Sequence, residues 1–104
     1  MNEEQVIEAF GALSNQTRLQ VLRKLVEAGP AGMLAGDVAE AVGASPSRMS
    51  FHLSPLQAAG IVTSERQSRQ MIYRVNFQAI GEVMQFLLQD CCKGNAMVQS
   101  CCGP

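Results

Sequence analysis

A chain of 104 residues, 47% hydrophobic and 16% charged, has room for one modest core, which excludes both a disordered polymer and a second catalytic domain. A net charge of −1 excludes a uniformly basic nucleic-acid binder. No apolar run approaches the roughly 18 residues of a membrane span, and Met1-Asn2-Glu3-Glu4 has no basic stretch leading into an apolar one, so a cytoplasmic protein with no membrane partner is expected.

In chain order, Val6, Phe10 and Leu13, with Ile7 beside them, predict a first helix, and Glu3 and Glu4 suit the positive end of its dipole. Ser14 or Asn15 can cap a second helix, whose wide apolar stripe (Leu19, Val21, Leu22, Leu25, Val26) ends at Gly29-Pro30. Met33-Leu34 suits a short strand, and Gly36 to Val42 a short helix with Val38, Ala39 and Val42 inward, closed by Gly43. Ser45-Pro46 is a strong start signal for a fourth helix, since Ser caps and Pro loses nothing at the first helical position. That helix carries Met49, Leu53, Leu56 and Ala59 on one face and stops at Gly60, with Pro55 predicting a kink. Ile61 to Gln67 and Met71 to Val75 form a hairpin around the polar Ser68-Arg69-Gln70 turn. From Phe77, the residues Ile80, Val83, Met84, Leu87 and Leu88 return to helical spacing, and this last helix has more apolar face than one core requires. The fold expected is mainly α with a β-hairpin wing, about five helices over residues 1–93, followed by a flexible cysteine-containing tail over 94–104. Domains this small often gain stability by oligomerising, so a homodimer is expected.

Charge is distributed unevenly. Between Ala41 and Gly81 the charged residues are Arg48, Glu65, Arg66, Arg69 and Arg74, whereas most of the acids lie outside. Two short helices joined by Gly43-Ala44 and followed by a hairpin match a helix-turn-helix with a wing, in which the second helix enters the major groove of duplex DNA. Ser45, Ser47, Arg48, Ser50, Phe51 and His52 occupy positions outside the core stripe; such small hydrogen-bonding groups suit base edges and phosphates, although a merely capped surface helix accounts for the serines as well. Arg66, Arg69 and Arg74 make a basic hairpin fit for phosphate contacts. His52, the sole histidine, is assigned to the DNA face.

Two stretches, Ala12-Leu13-Ser14-Asn15-Gln16-Thr17-Arg18-Leu19-Gln20-Val21-Leu22 and Ser50-Phe51-His52-Leu53-Ser54-Pro55-Leu56-Gln57-Ala58-Ala59-Gly60-Ile61-Val62, resemble the arsenic-repressor (ArsR/SmtB) family. The resemblance runs in order over about residues 5 to 90. It implies a winged-helix homodimer joined through the first and last helices, with operator DNA as partner. The sequence departs from the family's sensing sites: Leu34-Ala35-Gly36-Asp37-Val38 has no thiol where many members carry Cys-Val-Cys. With one histidine, the zinc site of the family's last helix is also missing.

All four cysteines fall in the last fourteen residues, as Cys91-Cys92 and Cys101-Cys102, which rules out a staple across the body of the fold. Eight residues, Lys93 to Ser100, separate the pairs and can loop back at modest entropic cost. Soft thiolates select thiophilic ions. The family resemblance makes As(III) or Sb(III) the expected inducer, held by three thiolates: Cys91, Cys92 and Cys101, with Cys102 as the spare. A disulfide between Cys91 and Cys92 is disfavoured, because adjacent Cα atoms lie ~3.8 Å apart and bridges prefer ~4.4–6.8 Å. A bridge between the pairs, hence a redox sensor, and a four-thiolate Zn(II) or Cd(II) site stay open. No Cys-x-x-Cys and no cofactor loop accompany the thiols, which argues against an enzyme.

Overall fold

The computed structural model describes residues 1–102, without the side chains of Cys101 and Cys102. Helix α1 spans Glu3–Leu13 and begins with a capping box, in which the Asn2 side chain accepts from the Gln5 amide and Gln5 returns the bond to the Asn2 amide. Helix α2, Gln16–Ala28, is capped by Asn15, whose side chain accepts from the Arg18 amide. A single 3-10 turn, Gly29–Ala31, leads to strand β1, Met33–Leu34. Helices α3 (Ala35–Val42) and α4 (Pro46–Ala58) follow, then strands β2 (Val62–Gln67) and β3 (Gln70–Val75), and helix α5 (Phe77–Gln85).

The three strands form one antiparallel sheet in the order β1-β3-β2, with Met33 opposite Tyr73 and Val62 opposite Val75. Gly32 makes the edge of this sheet possible. Its φ is +72°, and a Cβ placed there would meet the Tyr73 carbonyl oxygen at 2.5 Å, so the chain entering β1 lies directly on β3.

Val21, Leu25, Val38, Met49, Leu56, Ile61 and Val62 form the fully buried centre, a core shared by helices α2–α4 and the sheet. Two expected stripes rotate by about one residue. In α1 the core takes Val6, Ala9 and Ala12, leaving Phe10 and Ile7 exposed, Ile7 at 62%. Small alanines let α1 approach closely, and the larger side chains are turned outward. In α2, Val21 and Leu25 are buried while Leu19 and Val26 face out. Helix α4 continues past Pro55 to Ala58 without a break.

The last helix differs most from expectation. After Gln85 the chain forms a π turn, Phe86–Cys91, in which the Cys92 amide donates to the Leu87 carbonyl five residues back, at 2.9 Å. Lys93 (φ 56°) and Gly94 (φ 68°) then reverse the chain, and Asn95 accepts from the Met97 and Val98 amides to start a short helix α6, Ala96–Cys102. Residues 96–102 of the expected tail are thus helical, and residues 103 and 104 lie outside the described residues. Val98 is half-buried, whereas Met97 stays exposed. No helix among the described residues is long and apolar enough to cross a membrane.

Candidate nucleic-acid interface

Helix α3 ends at Gly43 in a left-handed conformation, φ 70° and ψ 32°, which turns the chain within two residues into the cap of α4. Ser45 accepts from the Arg48 amide at 3.3 Å, and Pro46 supplies the fixed φ of the first turn. Capping by the side chain of Ser45 and the fixed dihedral of Pro46 therefore set both where α4 starts and which way it faces. Its inward stripe is Met49, His52, Leu53 and Leu56. Ser45, Ser47, Arg48, Ser50 and Phe51 are exposed, as a base- and phosphate-contacting face requires. Phe51, at 66% exposure, is the most prominent apolar group on the helix.

His52 departs from its assigned place. It is only 7% exposed, because it lies three residues after Met49 and four before Leu56, on the core stripe itself. Its Nδ1 has no hydrogen-bond partner, and neither has the buried Nε of Arg18. The Arg18 guanidinium lies over the Phe51 ring at 5.5 Å, and the rings of Phe51 and His52 meet edge to face at 5.5 Å. Burial, then the positive charges of Arg18 and Arg48, hold the His52 imidazole below its ordinary value.

The wing is a two-residue hairpin with Gln67 opposite Gln70. Ser68, the first turn residue, takes the positive φ of 60° that tight hairpins demand. Arg66 and Arg69 are exposed at the tip, Arg66 donating from Nε to the Ser68 carbonyl at 3.2 Å. Arg74 does not join them. Its Nη1 donates to Glu65 at 3.1 Å and its Nε to the Pro30 carbonyl at 2.9 Å, so it ties the middle strand to the 3-10 turn instead of pointing a free charge at a ligand. The Gln67 amide and then Arg74 hold the Glu65 carboxyl below the usual carboxylate range. Gln57 of α4 donates to Ser64 of β2 at 2.7 Å, and Asn76 donates to the Gly60 carbonyl at 3.0 Å. Helix α4, the wing and the start of α5 are thereby joined.

An open groove of about 470 Å³ lies between the start of α2 and the outer side of α4, lined by Asn15, Ser47, Arg48, Phe51 and His52. The sequence singled out neither Asn15 nor Arg18 for this surface. The signal available was their place in the cap and first turn of α2, the helix that crosses behind α4.

At the other end of the molecule, Cys91 is exposed and Cys92 half-buried, next to the π turn. Among the described residues no three His, Cys, Asp or Glu side chains come together as a metal site. Cys101 and Cys102, the expected third thiolate and its spare, have side chains outside the described residues.

The model of the helix-turn-helix domain family matches residues 13–65, which is 53 of the 104 residues. The transcriptional repressor SdpR of Bacillus subtilis is 30% identical over 86 residues, covering 83% of this chain and 92% of that protein. Among solved structures, an ArsR-like transcriptional regulator from a Rhodococcus species superposes with a TM-score of 0.76 at 26% identity, over 93% of this chain and 89% of the other. The homodimeric winged helix-turn-helix domain Mb0332 of Mycobacterium bovis, a possible ArsR-family regulator, gives 0.65 at 26% identity over 84% of each chain. With the capped turn between α3 and α4, the exposed polar face of α4 and the two-arginine wing tip, these matches place the chain in the helix-turn-helix family, as an ArsR-like winged-helix DNA-binding transcriptional regulator.

Proposed function

We propose that the protein is a homodimeric repressor that binds operator DNA and releases it when As(III) or Sb(III) binds C-terminal thiolates. The observation that carries the sensing half is the pair Cys91-Cys92, placed where the last core helix leaves the body of the fold. A pyramidal trivalent centre takes three thiolates. Cys91 and Cys92 would supply two, and Cys101, with Cys102 as spare, the third. Bound there, the ion supplies a covalent tether between α5 and the chain that follows it.

DNA is read by Ser45, Ser47, Arg48, Ser50 and Phe51 in the major groove, with Arg66 and Arg69 on backbone phosphates. Ile7 and Phe10 on α1 and Phe77 and Met84 on α5 are exposed apolar groups on the two helices assigned to the dimer contact. Mb0332 being a homodimer supports the same assembly here. Two recognition helices ~34–36 Å apart would then span one turn of an inverted repeat. Their spacing follows the relative tilt of the α5 helices, so an ion that fixes the end of α5 acts on DNA affinity through the dimer contact, a coupling of ~1–3 kcal/mol or about 5–150-fold.

Fluorescence anisotropy of a labelled duplex from the region upstream of the gene tests this. Reduced protein is expected to bind, and As(III) or Sb(III) to release the duplex where Zn(II), Cd(II) and oxidant do not. Cys91→Ser and Cys92→Ser are each expected to abolish release while keeping DNA binding. Release by oxidant alone would replace the metalloid by a disulfide switch, and release by Zn(II) or Cd(II) alone by a thiolate metal site. Failure of the reduced protein to bind duplex would end the repressor assignment itself.

A further inference from the structure

We propose that the groove between the start of α2 and α4 is a phosphate seat, in which one DNA backbone phosphodiester lies against Ser47, Arg48 and the His52 ring, and that His52 takes up a proton when the seat is filled. This rests on the DNA-binding role given above and goes beyond it by naming a contact and its pH dependence.

Three observations converge on the groove. First, Asn15 and Ser47 line it, one the cap of α2 and the other in the first turn of α4, so two helix N-termini with positive dipole ends face the same space. Second, a more than nine-tenths buried side chain, His52, lines it without a hydrogen-bond partner at Nδ1. Buried polar groups are nearly always satisfied, and an unmet one in the wall of an open groove points to a partner supplied from outside. Third, the charges acting on His52 are Arg18 of α2 and Arg48 of its own helix. The carboxylates of the elements packed on α4 are not among them: Glu3, Glu4 and Glu8 on α1, Glu27 on α2, which is paired with Lys24, Asp37 and Glu40 on α3, and Glu65 on β2, which is engaged by Arg74 and Gln67. Two arginines beside a buried imidazole, with no acid acting on it, fit an anion. A phosphodiester fits best, because the groove opens beside the exposed face of α4, where the DNA backbone must pass.

The proton follows from the same charges. In the free protein, burial and the two arginines disfavour the imidazolium. A phosphate in the groove cancels that repulsion and favours the imidazolium, so imidazole and one solvent proton become imidazolium as DNA binds. The complex then holds more protons than its parts. The gain in affinity is fully present below the free protein's value and is lost as pH rises through the value in the complex.

Because His52 is the only histidine, its ring resonances are unambiguous in an NMR pH titration of the full chain. The titration is run free, with inorganic phosphate, and with the upstream duplex at constant ionic strength, alongside anisotropy at each pH. The expected result is a midpoint about one pH unit higher with duplex, and duplex affinity that rises up to about tenfold per subunit as pH falls through that range. His52→Gln is expected to remove that pH slope. A duplex that binds by anisotropy yet leaves the His52 midpoint in place overturns the seat and leaves the DNA assignment standing. A midpoint raised by inorganic phosphate, with no duplex bound at any pH, overturns DNA as the source of the phosphate and the repressor assignment with it.

Discussion

The two ends of the molecule are built on different physical terms. Helices α2 and α4 and strands β2 and β3 are held both by burial and by directed polar contacts: Asn15 and Ser45 cap their helices, Arg74 joins β3 to Pro30, and Gln57 joins α4 to Ser64. From Phe86 onward nothing is fully buried among the described residues, and the π turn and the Asn95 cap are local bonds. A regulator gains from that contrast. The part that matches a fixed DNA shape is stiff, and the part that carries the thiols can change without disturbing it.

Substitutions can break or sharpen the contrast. Leu25→Ala, at the fully buried centre, is expected to cost ~2–5 kcal/mol in denaturant unfolding; a value under 1 would show that the body is not close-packed. Gly32→Ala is expected to cost ~2–3 kcal/mol, through a strained positive φ and the clash with the Tyr73 carbonyl. Thermal unfolding by circular dichroism reads that effect. Ser45→Ala, which removes the α4 cap, should cost ~1 kcal/mol and weaken duplex binding as well. The arginines separate stability from recognition. Arg69→Ala is expected to lower the salt dependence of DNA binding by about one, with stability unchanged, whereas Arg74→Ala lowers stability by ~1 kcal/mol and leaves the salt slope alone. At the C-terminal end, Met97→Ser should stay within ~0.5 kcal/mol of the parent, and a larger loss would show α6 to be part of the core.

Much of the body was legible in the residues, because its boundaries are written in side chains that act locally. Ser45-Pro46, Gly43 and the paired strands each carry their own geometric reason, and the helix-turn-helix with its wing follows from their order. What escaped the sequence depends on contacts far along the chain. Arg74 looks like its wing neighbours until Pro30, 44 residues away, is brought beside it. His52 is instructive in a different way. Its spacing from Met49 and Leu56 already put it on the inward stripe, but its polarity suggested the outward one, and spacing prevailed. Phe10 lost its core position to Ala9 because close approach of α1 favours small side chains over large ones. The π turn has no compositional mark at all, since Phe86–Cys91 differs from an ordinary helix by one hydrogen-bond register.

That register has a genetic meaning. A π turn holds one residue more than an α turn, so it is equivalent to a single-residue insertion tolerated inside a helix. Deleting one residue between Phe86 and Asp90 would restore the ordinary ladder and leave the residues after it on nearly the same side, because the wider turn already absorbs the extra residue. A deletion in the ordinary α-helical part of α5 would instead turn everything after it by about 100°, and Cys91 and Cys92 with it. The π turn is thus the one place in the last helix where the chain can lose a residue and keep its thiols on the same side.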